Sequence, residues 1–270
     1  MTTIQTHLAQ LGMLDALSRQ ETPVHRLDPR AKILATLVFI VCVVSFDKYT
    51  LSALLPYLLF PVALLACGNI PLGFVAKRIL WVSPFAVLLG MFNPLLDRQT
   101  LLTLGGVSLS GGWVSLLSIL LRFVLTVSAA LLLMATTGFT PVCRGLQRLR
   151  VPEIFTLQLL FLYRYLFVLM EEAARLIRAR SLRSVGGNGM GIAVFGSMTG
   201  HLLLRTLDRA ERITLAMHCR GFEGQIHLSE TLRFKISDWI FLLAASGIFI
   251  LFRQVNVALW LGQLFSGGAQ

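Results

Sequence analysis

Glu171-Glu172-Ala173-Ala174-Arg175-Leu176-Ile177-Arg178-Ala179-Arg180-Ser181 opens the polar stretch 171–235, and Thr214-Leu215-Ala216-Met217-His218-Cys219-Arg220-Gly221-Phe222-Glu223-Gly224 lies toward its end. Both segments are arginine-rich and helical in pattern, and Gly186-Gly187-Asn188-Gly189-Met190-Gly191 lies between them. On either side the chain is almost continuously apolar. A basic helical stretch between hydrophobic blocks reads as the part that grips a soluble partner. The blocks read as its membrane anchor.

Composition supports this. Of 270 residues, 56% are hydrophobic and 14% charged, where a soluble domain carries about 25% charged residues. So much apolar surface cannot all be hidden in one soluble core, and a polytopic membrane protein is the natural class. The net charge of +11 fits basic cytoplasmic loops, which orient membrane proteins. No basic-aromatic surface motif points to nucleic acid. The four cysteines, Cys42, Cys67, Cys143 and Cys219, form no C-x-x-C pair and lack partners at metal spacing. Cys42 and Cys67 read as buried small hydrophobes. The first 30 residues are mixed and polar, with no cleavable signal pattern, and a short amphipathic helix is expected over 4–17.

In chain order, Asp28-Pro29 is a helix start, since Asp caps and Pro suits the first turn. Arg26, Arg30 and Lys32 place that end in the cytoplasm. Spans are expected at 33–46 and 51–67, the second carrying Pro56 and Pro61, as a hairpin around Asp47-Lys48. Both are shorter than the roughly 20 residues that cross comfortably. Lys77 and Arg78 mark a return to the cytoplasm. A third span follows at 79–96, bent or broken by Pro84 and ending near Asn93-Pro94. The glycine-rich 97–112 reads as an outer loop. The fourth span, 114–136, contains Arg122. A charge in hydrocarbon costs at least about 2.5 kcal/mol, so Arg122 either has a function, snorkels to the outer face, or is structurally paired.

Arg144, Arg148 and Arg150 return the chain to the cytoplasm. Hydropathy alone makes 151–170 another span. That would carry the arginine-rich stretch outside, against the positive-inside rule. Arg164, Glu171, Arg175 and Arg178 share one helical face, so an amphipathic helix along the cytoplasmic surface, 152–183, is expected instead. The glycine cluster reads as a flexible joint, because no strand precedes it to make a dinucleotide loop. The second helix, 195–218, is expected to bury Leu203, Leu207, Ala210, Thr214 and Met217. Arg205, Arg209, Arg212 and Arg220 would lie opposite, and Gly221 would end the helix. A last span covers 236–252, with Asp238 and Trp239 at its cytoplasmic end. The segment 255–265 is short for a span, so the C-terminus is outside unless that segment recrosses. The fold class is therefore all-α: a polytopic membrane protein with about five transmembrane helices and two long cytoplasmic amphipathic helices. Its parts are 1–32, 33–137, 138–235 and 236–270.

No catalytic pattern appears: there is no H-E-x-x-H, G-x-S-x-G or Walker lysine loop. No acidic pair lies within a span, and the five histidines are scattered. No cofactor, metal site or activity of its own is expected. What stands out is Arg180 between Ala179 and Ser181, and Arg220 between Cys219 and Gly221. Small neighbours leave each guanidinium open to a carboxylate fork. The same arginines would equally serve lipid headgroups or a helix C-terminal dipole.

These residues resemble the transmembrane T component of energy-coupling factor transporters, in particular its CbiQ/NikQ group for cobalt or nickel. The resemblance covers most of the chain. It rests on Leu27-Asp28-Pro29-Arg30-Ala31-Lys32, on the more specific Ala216-Met217-His218-Cys219-Arg220-Gly221-Phe222, and on the weaker Arg178-Ala179-Arg180-Ser181. It implies that two cytoplasmic ATPase subunits dock on Arg180 and Arg220, with Ala179, Ser181, Cys219 and Gly221 completing the signatures. Arg175, Arg178, Arg205, Arg209 and Arg212 would support them on the coupling helices. A substrate-capture membrane subunit would be the third partner, and the bacterial inner membrane the location. The chain departs from the family pattern at Ser181, usually Gly, and at Cys219, usually Ala. A self-contained carrier or channel is the alternative, as is a T component serving a vitamin.

Overall fold

The computed structural model describes residues 13, 15, 17–47, 50–96, 100–104, 107–183, 191–222, 224 and 234–254. The chain divides into two compact units: 16–138 with 232–270, and 1–15 with 139–231.

In the first unit, α1 (Pro29–Val44) starts as the sequence predicts. Asp28 caps it, its carboxylate accepting the Arg30 N–H, with Pro29 in the first turn. The second apolar run is segmented into α2 (Leu51–Leu54), a 3-10 turn (Leu55–Leu58) holding Pro56, and α3 (Leu59–Gly68). Next, α4 (Leu72–Leu96) continues through Pro84 without a break and ends two residues past Pro94, at the expected end of the span. In a bilayer an interrupted helix has no water to satisfy its backbone, and proline is tolerated within spans.

The stretch expected as a loop contains an antiparallel hairpin, β1 (Thr100–Leu104) and β2 (Val107–Ser110), with Leu104 opposite Val107. The alternating Val107-Ser108-Leu109-Ser110 directly after Gly105-Gly106 is a hairpin signal. The long α5 (Gly111–Thr137) follows, and α9 (Ile236–Gln254) closes the unit.

The core of this unit lies between α1, the α2–α3 segment, α5 and α9. Phe39, Val43, Leu54, Leu125 and Ala129 are fully buried. Phe39 meets Tyr57 and Phe249 edge-on or tilted, at 5.8 and 5.2 Å between ring centres. Tyr57 donates its hydroxyl proton to the Phe249 carbonyl at 2.7 Å, so this buried polar group is satisfied.

At one end a polar knot joins three helices. Asp238 accepts the Lys235 N–H at 2.7 Å, capping α9, and the Asp28 N–H at 3.0 Å, tying α9 to α1. Lys32 donates to the Thr136 carbonyl at the end of α5, at 3.0 Å. At the other end Arg122 donates to the Asp47 carbonyl, so it has a structural pairing. Arg253 donates to the Ser45 carbonyl at 3.0 Å and lies over the Phe46 ring. Cys67 is exposed on α3 rather than buried.

The second unit holds α6 (Phe139–Arg148), α7 (Glu153–Arg183) and α8 (Ile192–Cys219). Phe139 stacks on Tyr163 at 4.4 Å, fastening α6 to α7. The turn between them puts Arg150 at φ +69.

Among the described residues five helical stretches are long and apolar enough to cross a membrane: Leu51–Gly68, Leu72–Phe92, Gly111–Thr137, Glu153–Arg183 and Ile236–Gln254. The number matches the expected five, but the membership differs. At 16 residues, α1 reaches only about 24 Å, short of the roughly 30 Å hydrocarbon core. Conversely α7 qualifies by length and hydropathy. The architecture is that of an all-α polytopic membrane protein with one short hairpin. The expected helix at 4–17 falls largely outside the described residues, as do the glycine joint at 186–190 and the 255–265 segment.

Candidate functional site

The charged half of α7 forms as the spacing predicts. Arg164, Glu171, Arg175 and Arg178 are all exposed. Arg180 sits in the last turns of α7, with Ala179 and Ser181 exposed beside it. The Ser181 hydroxyl donates back to the Arg178 carbonyl at 2.8 Å. That serine is therefore accommodated inside the helix, where its hydroxyl is satisfied locally.

The second signature is built differently. Arg220 is itself the C-cap of α8. Gly221 follows at φ +75 and donates to the His218 carbonyl, while Phe222 donates to the Met217 carbonyl, both at 3.0 Å. This pair of bonds is a Schellman motif, which satisfies the last carbonyls and needs a residue at home in the left-handed region. The motif fixes where Arg220 leaves the helix. Cys219, Arg220 and Gly221 are all exposed. Among the described residues neither Arg180 nor Arg220 has an ion-pair partner.

The supporting arginines divide into separate roles. Arg175 and Arg205 converge on one carboxylate, Glu172, at 2.5 and 2.6 Å. Glu172 is 16% exposed, the arginines about 60%. This bridge ties α7 to α8. Reading the sequence did not single out Glu172; its signal was an acid three residues before Arg175 on a basic helix.

The face assignment of α8 needs correction. Its half-buried line is Val194, Met198, Leu202, Thr206, Arg209, Ile213 and Met217. Leu203 and Leu207, expected to be buried, are 59% and 54% exposed, and Ala210 and Thr214 are exposed too. Arg209 lies on the half-buried line rather than opposite it. The helix is apolar over an arc wide enough to offer two neighbouring stripes, and packing covers the one a residue away from that predicted. Arg212 stays exposed.

A groove of about 790 Å³ lies between the two helices. Phe161, Tyr165 and Leu169 of α7 and Ile213 of α8 line it, with Met217 and Phe222 from the Schellman turn. Glu172, Arg209 and Arg212 give it a charged side. Among the described residues no three His, Cys, Asp or Glu side chains come together to hold a metal ion.

Residues 20–231 match the family model CbiQ, described as cobalt transport protein. The energy-coupling factor transporter transmembrane protein EcfT of Thermanaerovibrio acidaminovorans is 28% identical over 263 residues, covering 87% of this chain and 94% of that protein. EcfT of Bacillus subtilis is 27% identical over 217 residues, 74% of this chain and 81% of that protein. The cobalt transport protein CbiQ of Salmonella typhimurium is 27% identical over 161 residues, 55% of this chain and 72% of that protein. The family match and the apolar helices agree: the chain belongs to the CbiQ family, as the transmembrane T component of an energy-coupling factor transporter in the bacterial inner membrane.

Proposed function

We propose that this chain is the mechanical coupling subunit of an importer. Two cytoplasmic ATPase subunits grip it, one at Arg180 with Ala179 and Ser181, the other at Arg220 with Cys219 and Gly221. A substrate-capture membrane subunit rides on the same assembly. The observation that carries this reading is the pair of exposed arginines, each flanked by small residues and without an ion-pair partner among the described residues. A guanidinium in that setting suits a bidentate carboxylate in a partner's groove. The Glu172 bridge to Arg175 and Arg205 lets a push at one signature reach the other helix.

In this reading α7 lies along the cytoplasmic surface rather than crossing. The bases at 144, 148 and 150 before it and at 175, 178 and 180 within it then share one side of the membrane. ATP hydrolysis belongs to the partners, since the chain has no phosphate-cradling loop with a lysine.

Cobalt is the cargo favoured by the family description and by the Salmonella relative's name. Nickel rests on the motif resemblance alone. A cargo set entirely by the capture subunit, a vitamin included, is the second reading. It is supported by the EcfT relatives, which align over more of the chain and whose names specify no metal. The test is ATP-dependent cobalt uptake into vesicles holding the chain with its ATPase and capture subunits, against vesicles holding the chain alone. Uptake is expected only with the full set. Uptake by the chain alone without ATP would establish a self-contained carrier and end the coupling reading.

A further inference from the structure

The first unit carries a second groove, of about 740 Å³, between the α2–α3 segment and α9. Its floor is Tyr57 and Phe249, 1% and 3% exposed, and the Tyr57 hydroxyl is already committed to a backbone carbonyl. It is hollow because small residues, Ala63 on α3 and Ala244 on α9, lie between bulkier rims at Leu59 and Ile248. Along α9 it extends from Ser237 to Phe252, about 22 Å at the helical rise. That exceeds the roughly 15 Å depth of one leaflet's hydrocarbon.

The charges are all at one end. Among the described residues only Arg26 and Lys235 contribute charged side chains to the lining. Both are exposed, and they lie just before α1 and α9. The nearby acids do not neutralise them firmly. Asp28 and Asp238 are buried and turned to the knot behind. Glu21 pairs with Arg26 at 3.2 Å, but with both side chains more than 70% exposed such a pair exchanges readily.

We infer that this groove holds one anionic phospholipid of the cytoplasmic leaflet, an acyl chain between α3 and α9 and the phosphate at Arg26 and Lys235. The charge pattern selects a lipid over a protein. A second subunit's spanning helix carries its own lysines and arginines at the cytoplasmic end and would meet two cations there. A phosphate is complementary to them. Trp239, 56% exposed beside Phe234, marks the headgroup level at which such a contact forms.

The test is native mass spectrometry of the full-length chain, titrated from detergent with phosphatidylglycerol or phosphatidylcholine. One phosphatidylglycerol should be retained in preference. Each basic residue near an anionic headgroup is worth roughly fivefold in affinity, so two give about thirtyfold. Arg26→Gln with Lys235→Gln should bring the preference close to unity while a lipid is still held. Ala244→Trp, which fills the hollow, should abolish retention of either lipid without changing the melting midpoint. Lys77→Gln, outside the groove, should change nothing. Equal retention of the two lipids by the wild type would overturn the proposal. So would an undiminished preference in the double variant, or cross-linking of Ala244→Cys to a copurifying membrane subunit instead of a lipid.

Discussion

Replacing Lys32 with methionine keeps the length of the side chain and removes its charge. Lys32 is 5% exposed and donates to the Thr136 carbonyl at 3.0 Å and to the His25 carbonyl at 3.4 Å. Thr136 lies in the last turn of α5, where carbonyls have no partner within the helix. Asp28 and Asp238, 6% and 2% exposed, are the acids whose charge the ammonium balances. The substitution thus deletes a charge-assisted hydrogen bond worth about 1.5–3 kcal/mol, while Asp28 keeps Arg30 at 3.7 Å. A loss of about 1.5–3 kcal/mol is therefore expected. In a chain of this size it corresponds to a fall in melting midpoint on the order of 5 °C. The assay is thermal unfolding in mild detergent followed by circular dichroism, with exposed Lys77→Met as the control expected within about 0.5 kcal/mol of wild type. A loss below about 1 kcal/mol for Lys32→Met would show that the knot does not depend on this charge, and the reasoning would fail.

Three further predictions follow from local geometry. Gly221→Ala places a side chain at φ +75 with open space around it. It should cost about 1–2 kcal/mol through backbone strain alone and weaken ATPase retention by re-aiming Arg220, whereas Gly221→Asn should be milder in both respects. Arg150→Gly, at φ +69, should stabilise the second unit by about 1 kcal/mol, read as a raised melting midpoint. His25 has its pKa lowered below the usual histidine value by burial and then by the Lys32 charge. Folding therefore favours its neutral form. Its stabilising contribution is complete above the unfolded pKa near 6.5 and declines as pH falls from there toward the lower folded value. The melting midpoint should drop between pH 7 and 5, by less in His25→Gln. An equal drop in both would place the titration elsewhere.

Much of the fold was legible because single residues decide it. Asp28-Pro29 fixed the start of α1, the arginine spacing drew the charged face of α7, and Gly221 marked the end of α8. The misreadings share a cause, which is that a local rule was outweighed by its surroundings. Pro84 is a breaker in water, yet α4 continues through it. Leu203 and Leu207 form a helical stripe as good as that of Leu202 and Met198, and only packing chose between the two. Glu172 was invisible as a hub because its second partner, Arg205, is 33 residues away. The knot of Lys32, Thr136 and Asp238 joins three distant segments and has no one-dimensional signature.

The central claim is that Arg180 and Arg220 are the grip for the ATPase subunits. It is tested most directly by copurification of those subunits from detergent with the wild-type chain and with the double charge reversal Arg180→Glu, Arg220→Glu. Circular dichroism and gel filtration would verify that both chains are folded. The account predicts that the wild type retains the ATPases and the reversed chain, equally well folded, loses them. Equal retention by the two would contradict it and move the docking surface away from these arginines.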